Sequence, residues 1–301
     1  MSPHLVCELF EKNGLTLPVV RIPDVSALDA VFQERLGVAG TSSALSLIGG
    51  GVAQLRSFCL HRNDESEHRG TASMEDLLQD TVHNELRSGA QVVTLSAAPQ
   101  ALPLLTRIPG TRTRAQPAVS HYVMRLRGYR SLDDYVGQQP APVRKVWRRD
   151  LRDVQRAELS FTTEPLSARG CADAAPFLAE TARRYGDESG SLTSEWRLAS
   201  RMRRPGEHLL MTIRAGGEAV AYVAVTVNPN HLDAHTVGVA PDSEHRQTAY
   251  QSLYRACAEL AVDRGLDFVA FGHGNAHPKT SRGCVEVPQW RVEYSPESHI
   301  G

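Results

Sequence analysis

The sequence predicts a mixed α/β (α+β) fold built as two units, each a central sheet flanked by helices, and three observations carry that expectation. The chain has 301 residues, enough for about two domains of ordinary size. Its composition, 41% hydrophobic and 22% charged with a formal net charge of -1, is that of a globular protein with a sizeable core. Runs of alternating apolar and polar residues are interleaved with runs of helical period, and no segment is of low complexity.

In the first half, extended VVRI at residues 19 to 22 is followed by a Gly-rich turn at Gly49, Gly50 and Gly51 and then by apolar VAQLRSFCL. Over residues 74 to 89, Leu77, Leu78, Val82 and Leu86 recur at helical spacing, and Gly89 stands where a C-terminal cap belongs. The strand QVVTLSA comes next. A Pro-containing stretch at residues 99 to 117 then separates this half from HYVMRLRGY, where Tyr122, Met124 and Leu126 alternate as in a half-buried strand. The boundary falls near residue 118, giving domains 1–118 and 119–301.

In the second half, Ser131 can cap a short helix and Pro142 can start a longer one. On the longer helix Val143, Val146, Trp147, Leu151 and Val154 form an apolar stripe. Arg144, Lys145, Arg148, Arg149, Arg152 and Arg156 crowd the other side, opposed by Asp150 and Asp153. That face is either a solvated amphipathic surface or a site for phosphates. The strand LSFTTEPL and the helices ADAAPFLAETARRYG and TSEWRLASRMRR follow. Two apolar alternating runs around Ala215, Gly216 and Gly217 make a hairpin. A strand at 234 to 239, a helix from about 244 to 264 ending at Gly265, the strand LDFVAFG and a closing strand VPQWRVEY complete the half.

No apolar run approaches the roughly 20 residues a bilayer crossing needs, and the start MSPHLVCELFEKNG has no charged region leading into an apolar one. A cytoplasmic protein without membrane partners is the expectation. Cys7, Cys59, Cys171, Cys257 and Cys284 are odd in number and lack CxxC spacing, so reduced thiols are expected rather than disulfides or zinc. In HLDAH, His231, Asp233 and His235 would need a further ligand to hold a metal, and none is expected.

One position stands out by scarcity. Of 33 Lys+Arg residues only Lys12, Lys145 and Lys279 are lysines, a usage compatible with a GC-rich bacterium. An ammonium is a compact point charge where guanidinium is a flat fork, so a lysine retained at residue 279 suits a site that meets one developing oxyanion. His273 and His277 flank it and are candidate proton acceptors.

These features, namely a basic helix after a strand, ARRYG, a hairpin carrying GGEAVAYVAV, a strand-helix unit with a VAPD turn and FGHGNAHPKTSRGC, resemble the GCN5-related N-acetyltransferase superfamily over residues 120 to 295. Within it they resemble the Fem-type branch of peptidoglycan aminoacyltransferases. The resemblance implies two acetyltransferase-like units, with a degenerate copy in residues 1 to 118, and an amide-forming acyltransferase that needs no resident cofactor. It implies aminoacyl-tRNA as donor, a small amine such as a natural-product intermediate as acceptor, and Tyr185 beside that acceptor. Backbone N–H groups near Val237 and Val239, with Lys279, would then hold the oxyanion. The patch from Arg144 to Arg156 would meet acceptor-stem phosphates, with RNA rather than DNA as the partner. Relatives using acetyl-CoA carry glycines at the start of the central helix, whereas this chain has Glu244-His245-Arg246-Gln247-Thr248-Ala249-Tyr250. Side chains at Gln247 and Tyr250 would narrow a pyrophosphate cradle, although Arg246 could still meet a phosphate. An acyl-CoA or carrier-protein thioester donor therefore stays as an alternative, and a non-catalytic binding protein on the same fold as another.

Overall fold

The computed structural model describes residues 6–12, 15–22, 45–48, 68–88, 92–97, 102–184, 190–202, 206–273 and 275–297. Gly49 to Gly51, VAQLRSFCL, Gly89 and Tyr185 lie outside them. The first elements are β1 (Val6–Lys12), β2 (Leu15–Ile22), β3 (Leu45–Ile48), α1 (His68–Arg87), β4 (Val92–Ala97), α2 (Leu102–Leu105) and β5 (Thr111–Arg125). Then come α3 (Leu132–Gln138), α4 (Ala141–Arg156), β6 (Ser160–Pro165), α5 (Ala168–Arg183), α6 (Gly190–Arg201), β7 (Glu207–Ala215), β8 (Glu218–Val227) and β9 (His231–Val239). The last are α7 (Arg246–Asp263), β10 (Phe268–Ala270), α8 (Ala276–Thr280) and β11 (Val285–Pro296).

Two compact units emerge, one of Met1–Val119 with Pro288–Gly301, the other of Ser120–Val287. The C-terminal strand was expected in the second unit but belongs to the first. Its register explains why, since Trp290 to Tyr294 pair antiparallel with Ala97 to Val93 of β4. Burying the Tyr294 ring and donating its hydroxyl to the Leu105 carbonyl fixes the strand there. Residues 111 to 117, expected to be a separator, are instead the first part of β5.

The two units share a pattern of strand pairing. In the first unit β2 and β3 are antiparallel, β3 and β4 parallel, and β4 and β11 antiparallel. In the second β8 and β9 are antiparallel, β9 and β10 parallel, and β10 and β5 antiparallel. A helix crosses between the parallel pair each time, α1 in one unit and α7 in the other.

In the second unit the sheet order is β6-β7-β8-β9-β10-β5. Its β7–β8 turn is Gly216-Gly217 at φ 57° and 88°, the left-handed pair that a two-residue hairpin requires. Alternation along β8 sends Val223 and Val225 into one core with α7, and Tyr222 and Ala224 into another with Cys171, Ala174 and Leu178 of α5. Gly238 has no side chain because a Cβ there would lie 2.7 Å from the Phe177 and Leu178 backbone of α5. Helix α7 is buried over a wide face by Ala249, Leu253, Ala256, Cys257 and Ala261. It ends at Gly265, φ 65°, where Leu266 N–H donates to the Ala261 carbonyl.

A buried ion pair lies beneath the fold. The stripe expected on α4 holds for Trp147 and Val154, but Leu151 is exposed and Asp150 takes the inward position. The helical period puts residues 143, 147, 150 and 154 in one row. Arg282, 1% exposed, donates through Nε to Asp150, 3% exposed, at 2.7 Å and through Nη1 to the Pro278 carbonyl. Its carbonyl accepts from Tyr135 Oη and Trp147 Nε1, and its guanidinium lies 4.9 Å from the Tyr254 ring centroid. Burial pushes the Asp150 carboxyl up against the pull of Arg282 and Arg149. Removing one partner strands the other charge. Asp150→Ala is expected to cost about 3–5 kcal/mol of unfolding free energy, whereas Asp150→Leu with Arg282→Met should recover much of it; urea titration of both checks this.

Candidate functional site

The site begins where two parallel strands part. β9 and β10 pair over three residues, His231, Leu232 and Asp233 against Phe268, Val269 and Ala270, yet β9 runs on to Val239. Beyond Ala270 the chain stays with β5, because Phe271 N–H donates to the Tyr122 carbonyl and Tyr122 N–H to that of Gly272, which adopts φ 66°. A fork therefore opens between β9 and β10.

Which donors line it follows from the ladder. Ala240 N–H donates to the Val220 carbonyl, so by the alternation of an antiparallel pair the N–H groups of Val237 and Val239 point away from β8 and into the fork. A bulge supports this phase, since Ala224 pairs with Thr236 and Val225 with Ala234, leaving His235 as the extra residue. The two expected donors then differ. Val239 N–H is committed to Thr181 Oγ1 of α5 at 3.3 Å, so it is not the oxyanion donor expected of it in this geometry. Arg201 of α6 also reaches this arm, with Nη2 3.2 Å from Thr236 Oγ1.

On the β10 side, within FGHGNAHPKTSRGC, His273 lies in a bend and Ala276–Thr280 form the one-turn helix α8 rather than a plain loop. Lys279 points inward at 5% exposure, and its Nζ donates to the carbonyls of His273 at 2.8 Å and Gly272 at 3.2 Å, 5.2 Å from the Tyr122 ring centroid. The ammonium therefore holds the backbone at the mouth of the fork. His277, two residues earlier and so about 200° around the helix, is exposed on the opposite side and is not brought to the lysine. His273 is exposed, and its ring meets His121 edge-on at 5.6 Å.

At the start of α7, Arg246 and Gln247 are exposed and Tyr250 is half buried, its hydroxyl 3.2 Å from that of Tyr254. His245 occupies the cap position without a side-chain cap. On α4, Arg144 is half buried and donates to the Gln139 carbonyl. Lys145, Arg148, Arg149, Arg152 and Arg156 are exposed at spacings that form one stripe, about 17 Å long at 1.5 Å per residue. With Asp150 turned inward, Asp153 is the helix's remaining acid beside it.

His121, Thr181 and Arg201 escaped the sequence reading. Thr181 and Arg201 sit on helices whose polar residues are ordinary, and only the fold brings them to β9. His121 had one signal, its place in phase with Val123 on a strand whose other phase is Tyr122, Met124 and Leu126.

Residues 141–280 match the family described as Acetyltransferase (GNAT) domain. The match spans a little under half of the chain and lies within the second unit. The structure is similar to FemX, with TM-score 0.57 at 8% identity over 95% of this chain and 88% of that one. It is also similar to the C-terminal domain (DUF2156) of a putative lysylphosphatidylglycerol synthetase from Agrobacterium fabrum, with TM-score 0.57 at 12% identity over 97% and 84%. L-PGS from Bacillus licheniformis gives 0.53 at 10% over 98% and 85%. At such identities the likeness concerns the fold. No curated protein matches the chain at a significant level.

Among the described residues no helix is long and apolar enough to cross a membrane, and no three His, Cys, Asp or Glu side chains gather as metal ligands. Cys171, Cys257 and Cys284 are buried free thiols. Burial pushes Cys257 and Cys284 up to about 12 and raises Cys171, so at neutral pH none is the thiolate that covalent acyl transfer needs. These three are expected to resist iodoacetamide at pH 8 in the folded protein and to label fully in urea, as peptide mass spectrometry would show. Labelling of Cys284 in the native state would contradict its burial.

Proposed function

We propose that this protein moves an aminoacyl group from aminoacyl-tRNA to the amine of a small acceptor, forming an amide. The observation that carries this reading is the fork with Val237 N–H on its edge, where a donor carbonyl can be held as its oxygen gains charge. An ester on a tRNA 3′ end is already activated, so positioning and oxyanion support are what the protein must supply. The start of α7, with side chains in place of glycines, fits this donor better than a nucleotide diphosphate. The exposed stripe from Lys145 to Arg156 offers phosphate contacts despite a net charge of -1. The fold likeness to FemX and to L-PGS is consistent with it. Arg246 and Gln247 would then face the donor. The acceptor would be an amine such as that of a natural-product intermediate, and Tyr185 beside it is implied by the family resemblance alone.

Lys279 acts here as a positioning residue. By clamping the carbonyls of Gly272 and His273 it sets the β10 side of the fork and leaves a positive charge beneath it. Lys279→Met is expected to reduce transfer at least tenfold, and Lys279→Arg should not restore it, because a planar fork cannot take the place of a compact ammonium. Transfer at the original rate in Lys279→Met would remove the assignment.

The donor is decided by binding across a salt series. Aminoacyl-tRNA affinity should fall steeply with NaCl, and the triple variant Lys145→Ala, Arg148→Ala, Arg152→Ala should flatten the log–log slope by about 0.7–0.9 per contact removed. Coenzyme A binding with indifference to RNA would assign a thioester donor instead.

A further inference from the structure

His121 has no part in the scheme above, although it is the buried imidazole at the mouth of the fork. It is 9% exposed, and its Nδ1 is enclosed with no hydrogen-bond partner among the described residues. Buried polar atoms are nearly always paired, so an unpaired one calls for a role.

Its location supplies that role. The fork opens beyond Asp233 of β9 and Ala270 of β10, and Ala270 pairs with Val123 of β5. Since β5 runs antiparallel to β10, the opening lies toward lower residue numbers on β5. His121 therefore stands two residues past the branch point, about 7 Å along the strand at 3.3 Å per residue. Val237 lies past the same point on the opposite arm. Tyr122, Met124 and Leu126 enter the core shared with α7, so His121 projects from the other face of the sheet. Over β9 that face is the one α5 and α6 cover, where Thr181 and Arg201 reach Val239 and Thr236. Lys279 lies on the Tyr122 side. The ammonium and the imidazole thus flank the mouth of the fork from opposite faces.

We propose that His121 Nδ1 is the proton acceptor in amide formation, an inference that rests on the aminoacyl-transfer reading. The amine nitrogen attacks the ester carbonyl carbon and a C–N bond forms. The proton that nitrogen sheds goes to Nδ1. As the C–O bond to the ribose breaks, the same proton passes to the departing oxygen, so the products are an amide and a free hydroxyl and the imidazole is restored. The titratable groups around His121 are His273, whose ring touches it, and Lys279, bonded to the His273 carbonyl. On its own strand Tyr122 is adjacent but turned into the core on the other face, and Arg125, exposed, is four residues away. Among these described groups there is no carboxylate to compete with the imidazole for the proton.

The test uses the full chain, tRNA charged with a radiolabelled amino acid as donor, and methoxyamine, a minimal amine that is already unprotonated through the imidazole range. His121→Asn, which keeps a polar group near Nδ1 but cannot take a proton, is expected to lower transfer by about 100-fold or more while leaving aminoacyl-tRNA affinity within about twofold. The wild-type rate should rise with pH through the imidazole range, and that limb should be missing in the variant. Transfer within threefold of wild type, with the limb intact, would overturn the proposal. A second readout does not depend on turnover or on the variant folding: long-range ¹H–¹⁵N NMR of the wild-type imidazoles should show His121 Nδ1 without a proton at pH 8. An Nδ1–H tautomer there would overturn the proposal by itself. Wild-type protein inert toward every donor, with Nδ1 bare, would overturn the aminoacyl-transfer reading and the proposal with it, whereas loss of the base alone would leave the wild-type protein active.

Discussion

The site depends on a failure to pair. β9 and β10 have only three residues in register before they separate, and backbone groups that would otherwise be used up in a ladder are turned into the gap. Such a split stays open only if each arm is held from outside, because bare strand edges tend to close on one another. The β10 side is held by β5 through Phe271, Tyr122 and Gly272, and from below by the Lys279 ammonium. The β9 side is held by β8, by the close approach of α5 over Gly238, and by Thr181 and Arg201.

The loop with Lys279 has its own foundation. Arg282, three residues on, carries a buried charge whose counterion, Asp150, comes from α4. Its carbonyl is gripped by Tyr135 and Trp147, and Gly283 follows at φ 87° where a side chain would strike the Tyr135 hydroxyl. One face of α4 thus anchors the loop of Lys279 while the other displays cations. Facing outward, Asp150 would partly neutralise that charge along its own helix; turned inward, it pairs with Arg282 and touches only Arg149 of the stripe.

Much of the architecture was legible because local patterns agree with it. Gly216-Gly217, Ser131 as a cap with its hydroxyl accepting from Asp134 N–H, and Gly265 after α7 all stand where turn and cap chemistry puts them. Asp150 was not legible as a buried residue, since a carboxylate on a basic helix reads as a solvent-facing partner until its counterion 132 positions away is known. Lys279 stood out by rarity, but rarity could not say that it would bond to two carbonyls. Val237 and Val239 look alike in sequence and differ because one N–H meets a threonine of another helix. The strand at residues 111 to 117 was masked by Pro117, which suggests a break but lies within β5.

The exchange of closing strands has a consequence for how the protein is made. In the second unit β10 finds β5 already synthesised, so that sheet can be completed as the chain leaves the ribosome. In the first, β4 waits for β11, which follows it by nearly 200 residues. Until then the nascent first half carries an unclosed β4 edge, the kind of surface on which chains misassociate. Vectorial synthesis therefore favours the second half as the part that settles first, with the N-terminal half completed when the last strand docks.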